Sequence, residues 1–118
     1  MAAEKRKTPR ISPFVAPCRI LDGDRRLAGY LTDLSSGGAR VICQTRPPAQ
    51  GAAVVLEVRF THNTRYCRFR AEVRWTRPRE GPAQGNAFGL TFTGATPEER
   101  ELLEAVVHEF QRRARELQ

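Results

Sequence analysis

Two short stretches of the chain hold residue types with chemistry to offer. The first is Asp33-Leu-Ser35-Ser36-Gly37-Gly38, a carboxylate, two hydroxyls and two residues without side chains. The carboxylate accepts hydrogen bonds, and the hydroxyls of Ser35 and Ser36 both donate and accept. Gly37 and Gly38 permit positive φ and the close approach of another group. Asp, Ser and Gly are also ordinary turn residues, so the same stretch serves equally as a plain hairpin corner. The second stretch is Arg6-Lys-Thr-Pro-Arg10, preceded by Lys5. Pro9 biases Thr8 away from helical angles. Arg6 and Arg10 are therefore not neighbours on a helix face; they sit on a strip of chain able to fold over something.

Together the two stretches suit a guanine nucleotide. Guanine O6 and N7 accept two parallel bonds from one guanidinium, which can also stack on a base or pair with a phosphate. A carboxylate accepts from guanine N1 and N2. Ser35 and the backbone N–H groups near Gly37 and Gly38 suit phosphate oxygens. Nothing comparable supports catalysis. Asp33 and Ser35 have no histidine in their local sequence, and Gly-x-Ser-x-Gly is absent, so no catalytic residue is assigned and an enzyme is not expected. His62 and His108 are isolated, and Cys18, Cys43 and Cys67 form no CxxC or Cys/His pattern, so neither a metal nor a cofactor is expected. The cysteines read as reduced thiols packed in strands.

These groups need a frame. With 118 residues, 40% hydrophobic and 28% charged, the chain suits one globular domain with one core. It shows no membrane-length apolar run and no signal-peptide pattern, so membrane insertion is not expected and the cytoplasm is the default location. The net charge of +7 favours anionic partners. Residues 1–13 are basic, contain two prolines and bury little, which predicts a flexible arm. Residues 14–118 form the domain. Strands are expected over 14–21, 27–34, 39–44, 54–60, 65–77 and 88–92. The longest places Cys67, Phe69, Ala71, Val73 and Trp75 on one face and Tyr66, Arg68, Arg70, Glu72 and Arg74 on the other. Residues 61–64 close a hairpin, and loops cover 46–51 and 78–85. Thr96-Pro-Glu-Glu99 is a capping box with proline at the first helical position. It opens a helix over about 97–117, with Leu102, Leu103, Val106, Val107, Phe110, Ala114 and Leu117 on its apolar stripe. The sum is a mostly β fold: about six short antiparallel strands forming a barrel or sandwich, with a C-terminal α-helix laid against it and a flexible basic N-terminal arm.

The ordered pair Arg6-x-x-x-Arg10 and Asp33-x-Ser35-x-x-Gly38 resembles the two-part signature of the PilZ domain, a bacterial receptor for cyclic di-GMP. Phe88-Gly-Leu-Thr-Phe92 resembles that family's last strand, and Val73-Arg-Trp75 a usual late-strand pattern. The resemblance implies a six-stranded antiparallel β-barrel with a C-terminal α-helix, in agreement with the reading above. It also implies that Arg6 and Arg10 clasp guanine and phosphate from the arm, that Asp33 and Ser35 contact the ligand from the barrel, and that Gly38 shapes the turn. Lys5, Ser36 and Gly37 are further candidate contacts; the family residue at the position of Lys5 bears on whether one or two ligands bind. RxxxR recurs at Arg70 and Arg74, but mid-strand and without an arm's reach. The expected function is a receptor and adaptor that orders its arm on binding and relays the signal to an effector protein, with motility or exopolysaccharide regulation as typical outputs. The alternative is a basic barrel that binds nucleic acid or a partner protein without the dinucleotide. The face of Tyr66, Arg68, Arg70 and Arg74 lacks interleaved aromatics, which makes nucleic acid the less favoured partner. The exposed part of the helix leaves room for a homodimer.

Overall fold

Period-two alternation becomes six antiparallel strands in the computed structural model, which describes residues 14–59, 66–77 and 85–116. The strands are β1 (Ala16–Asp22), β2 (Arg25–Leu34), β3 (Gly38–Cys43), β4 (Ala53–Val58), β5 (Cys67–Arg77) and β6 (Asn86–Phe92). They close into a barrel in the order β1-β2-β3-β6-β5-β4, with β4 returning to β1. Every strand thus has two neighbours, and no ladder edge is left open. The arm with Lys5, Arg6 and Arg10 lies outside the described residues. So do the expected closure at 61–64, His62, Phe60, most of the loop at 78–85, and Leu117.

Asp22 and Arg25 bracket a tight turn in which Gly23 takes φ +61, a conformation that strongly favours glycine. Inward residues of all six strands make one core, including Ile20, Leu31, Val41, Leu56, Val73 and Phe88. Cys18 and Cys43 are buried free thiols, and Cys67 is half-buried. Burial pushes the Cys18 thiol up to about 12, with Cys43 adding to the shift.

One end of the barrel is covered by α1 (Pro97–Glu116), which buries Leu103, Val106, Val107 and Phe110. The capping box forms as its sequence requires. The Glu99 N–H donates to Thr96 Oγ1 at 3.1 Å, and the Thr96 N–H donates to Glu99 Oε1 at 3.0 Å. Arg70 latches this junction from β5, donating to the Gly94 carbonyl and reaching Glu99 Oε1 at 3.2 Å.

Three expectations need correction. Leu102 belongs to no buried stripe and is 44% exposed, because the helix faces the barrel through Leu103, Val106, Val107 and Phe110 instead. Glu57, which alternation along 54–60 sets on the face opposite Val54, Leu56 and Val58, is nonetheless 2% exposed and held between two arginines. Trp75 does not share a face with Val73. A bulge lies between Val73, paired with Leu90, and Trp75, paired with Gly89. The extra residue, Arg74, shifts the alternation by one and turns the indole onto the outer wall.

Candidate functional site

Asp33 reaches the outer wall by the same device. Leu27 and Leu31 point into the core, so strict alternation would send Asp33 inward as well. Instead the register shifts between Leu31, paired with Val41, and Asp33, paired with Arg40. Thr32 is the extra residue, and its Oγ1 donates to the Arg40 carbonyl at 3.4 Å. Leu34 is thereby buried in place of Asp33, and the carboxylate is exposed. Burying an apolar Leu while keeping a carboxylate in water is the arrangement that solvation favours. Bulges re-aim side chains in this manner beside functional sites.

The two bulges act on one transverse row. Asp33 pairs with Arg40, Arg40 with Gly89, and Gly89 with Trp75. Four strands thus present a carboxylate, a guanidinium, a bare backbone and an indole in sequence along the outer wall. Gly89 is bare for a physical reason, since the Trp75 indole occupies the space that its Cβ would need. Neither Arg40 nor Trp75 was singled out from the sequence. Arg40 carried a readable signal, lying two positions after Gly38 and hence on the same strand face. The orientation of Trp75 depends on a bulge that periodicity does not reveal.

Beyond the row lies the corner. The Ser35 N–H donates to the Gly38 carbonyl at 2.9 Å, closing the turn between β2 and β3, and the Ser35 hydroxyl approaches the same oxygen at 3.4 Å. Ser35, Ser36 and Gly37 are exposed. Of the two freedoms that glycine gives, the corner does not use positive φ: among the described residues it occurs at Gly23, Gly51 and Gly94, and at neither Gly37 nor Gly38. Gly38 is required by its neighbour strand, because a Cβ there would run into the Leu90 carbonyl oxygen. At Gly37 nothing lies within 4 Å of such an atom.

The end of β2 also meets the place where the chain enters the barrel. Phe14 packs edge-on against Phe110 with ring centroids 5.1 Å apart. Gln111 Nε2 donates to the Leu34 carbonyl at 3.3 Å, tying α1 to the end of β2. Between them opens a cleft of about 380 Å3, lined by Phe14, Thr32, Asp33, Phe110, Gln111, Ala114 and Arg115. Asp33 and the root of the arm therefore share one cleft. Arg115 adds a cation to its wall. His108 is exposed, and among the described residues no three His, Cys, Asp or Glu side chains gather where they would hold a metal.

Fold and site define a small closed antiparallel barrel that presents a polar corner beside its N-terminal entry. The PilZ domain family model matches residues 4–109, and the chain belongs to the PilZ domain family. That span includes Lys5, Arg6 and Arg10 as well as the corner. Among solved structures, the chain is similar to the PilZ domain of YcgR from Escherichia coli with c-di-GMP, at TM-score 0.67 and 23% identity, covering 92% of this chain and 96% of that one. It is also similar to the Bacillus subtilis inhibitor of motility MotI/DgrA, at TM-score 0.64 and 18% identity, covering 88% of this chain and 50% of that one. A third likeness is to the PilZ domain of CeSA from a cellulose-synthesizing bacterium, at TM-score 0.62 and 18% identity, covering 85% and 96%. At these identities the likeness shows the shared fold. A search of curated proteins finds no match. No helix among the described residues is long and apolar enough to cross a membrane.

Proposed function

We propose that the chain is a receptor domain for cyclic di-GMP, a binding module rather than an enzyme. The observation that carries this reading is the shared cleft: Asp33 and Phe14, where the arm begins, line the same opening. Arg6 and Arg10 lie only a few residues upstream of Phe14, so they are tethered close to the carboxylate they would work with. Arg6 and Arg10 take guanine edges and phosphates, Asp33 accepts from guanine N1 and N2, and Ser35 donates to a phosphate oxygen. Lys5, Ser36 and Gly37 are secondary contacts. Arg40 and the Trp75 indole extend the surface along the row, with the Arg77 guanidinium carbon over the indole, 5.4 Å from its centroid.

The signal in this reading is the ordering of the arm. Free, the arm samples many conformations; bound, it lies across the outer wall and its arginines neutralise the two phosphates. The new surface is what an effector protein recognises. The single tryptophan of the chain, Trp75, gives a direct probe. Adding cyclic di-GMP should change its fluorescence, and excess GTP or a single-stranded oligonucleotide should not reverse the change. A fluorescence response to the oligonucleotide that cyclic di-GMP cannot displace would favour the nucleic-acid alternative. Backbone 15N relaxation of residues 1–13 should show order parameters rising on binding; an arm already rigid without ligand would sink the switch.

A further inference from the structure

The nucleotide reading leaves unused the outer wall centred on β1 and β4, flanked by the Arg25–Tyr30 part of β2 and the start of β5. Glu57 pairs in register with Arg19 on β1 and Arg68 on β5. Both close on it: Arg68 Nε lies 2.5 Å from Oε2 and Arg19 Nη1 lies 3.5 Å from Oε1. Arg19 Nη2 also donates to the Tyr66 hydroxyl at 3.2 Å. The guanidinium carbons of Arg19 and Arg59 sit 5.0 and 4.5 Å from the Tyr66 ring centroid. The carboxylate is hidden at 2% exposure while its partners are not, with 38% of the Arg19 and 68% of the Arg68 side chain exposed. Beside Arg19, whose β2 partner is Ala28, lies a depression of about 400 Å3. Its lining includes Pro17, Arg26, Ala28, Gly29, Tyr30 and Ile42. Tyr30 is 50% exposed.

We infer that this wall is a docking surface for an acidic segment of a partner protein. The segment seats one apolar side chain over Ala28 and Gly29 and lays carboxylates against Arg19, Arg26 and Arg68. Exposed tyrosines and arginines around a pocket have the composition of an interface hot spot. Here they are also set in advance. Glu57 holds two guanidinium groups and Tyr66 is gripped by two, so little side-chain freedom is lost on docking. Charge decides the occupant. Around Arg19 and Tyr66 the outward charges are the guanidinium groups of Arg19, Arg26, Arg59 and Arg68, while Glu57 is buried, so a second copy meeting this patch face to face would set like charges opposite one another. A nucleic acid backbone would satisfy the arginines but has no apolar group for the depression.

This inference rests on the receptor reading only for its purpose, since a receptor needs a surface through which to act; binding of the segment does not depend on the nucleotide. The probe is a synthetic peptide of about ten residues, aspartates and glutamates around a central Leu-Phe pair, titrated into the 15N-labelled full chain with and without cyclic di-GMP. The amides of Cys18, Arg19, Ala28, Gly29, Tyr30 and Tyr66 should shift, and those of Ser35 to Gly38 should not. Tyr30→Ala and Arg26→Glu, both at exposed positions, should each weaken binding about tenfold, and a lysine version of the peptide should not bind. Unmoved amides on this wall would overturn the inference. So would displacement of the peptide from it by oligo-dT, or shifts there on simple dilution, which would mark a contact between copies. Nucleotide-induced shifts at Ser35 to Gly38, present or absent, score the receptor reading separately.

Discussion

A methyl group added at Gly38 would meet the Leu90 carbonyl oxygen, which is backbone and cannot swing away, whereas one added at Gly37 meets nothing within 4 Å. Gly38→Ala should therefore cost about 2 kcal/mol or more in chemical denaturation, while Gly37→Ala should stay within about 0.5 kcal/mol. Equal effects would contradict the close approach of β3 and β6. The sequence shows two adjacent glycines and cannot tell them apart, because the demand on Gly38 comes from a strand more than fifty residues later. Asp33 and Ser35 were legible by type and spacing. How Asp33 comes to face outward was not, since the bulge at Thr32 trades it for Leu34 in the core. Cys18, its thiol pushed up to about 12 by burial, should resist a thiol reagent at pH 8 in the folded chain and react on unfolding. Prompt reaction in the native state would mean that the barrel opens there.

At the scale of the element, the helix start is the most legible part of the chain, because a capping box is local and needs no partner strand. Thr96→Ala should cost about 1 kcal/mol, roughly 4 °C in Tm. The far end of α1 depends on Glu109, which Arg112 and Arg113 hold by hydrogen bonds and pull down to about 2. Glu99 is also lowered, chiefly by the Thr96 N–H and then by Arg70. Both carboxyls are depressed in the folded state. Their contribution is complete above the unfolded value near pH 4.3 and fades as pH falls through the folded values. Thermal melts followed at the helix signal should thus be flat above about pH 5 and decline between about 4 and 2. Glu109→Gln should flatten part of that decline, and the effect should be small because these pairs are exposed. A decline beginning near neutrality would point to another group. The strand pattern was legible wherever alternation is strict. It failed at Trp75, where the bulge at Arg74 breaks the period, and at Glu57, whose burial depends on arginines from β1 and β5.

For the whole molecule, closure of the barrel brings together what the sequence keeps apart. Phe14 precedes β1, Asp33 lies near the end of β2, and Phe110 and Arg115 belong to the other end of the chain, yet all line one cleft. The six antiparallel strands and the terminal helix could be anticipated from alternation, turns and one cap, whereas the order in which the strands close could not. The cleft could not, since it depends on how α1 lies against β2. Arg70 offers a contrast to the arm: it shares the RxxxR spacing but is committed to Gly94 and Glu99. Arg70→Ala should lower stability by about 1 kcal/mol and leave nucleotide affinity nearly intact. The central claim is that arm and corner hold one cyclic di-GMP-sized guest between them. Calorimetric titration of cyclic di-GMP into the full chain, wild type beside Arg6→Ala and Asp33→Ala, tests it most directly. The account predicts saturable binding by the wild type and a loss of about tenfold or more in each variant. No heat with the wild type, or affinity unchanged when both Arg6 and Asp33 are removed, would contradict it.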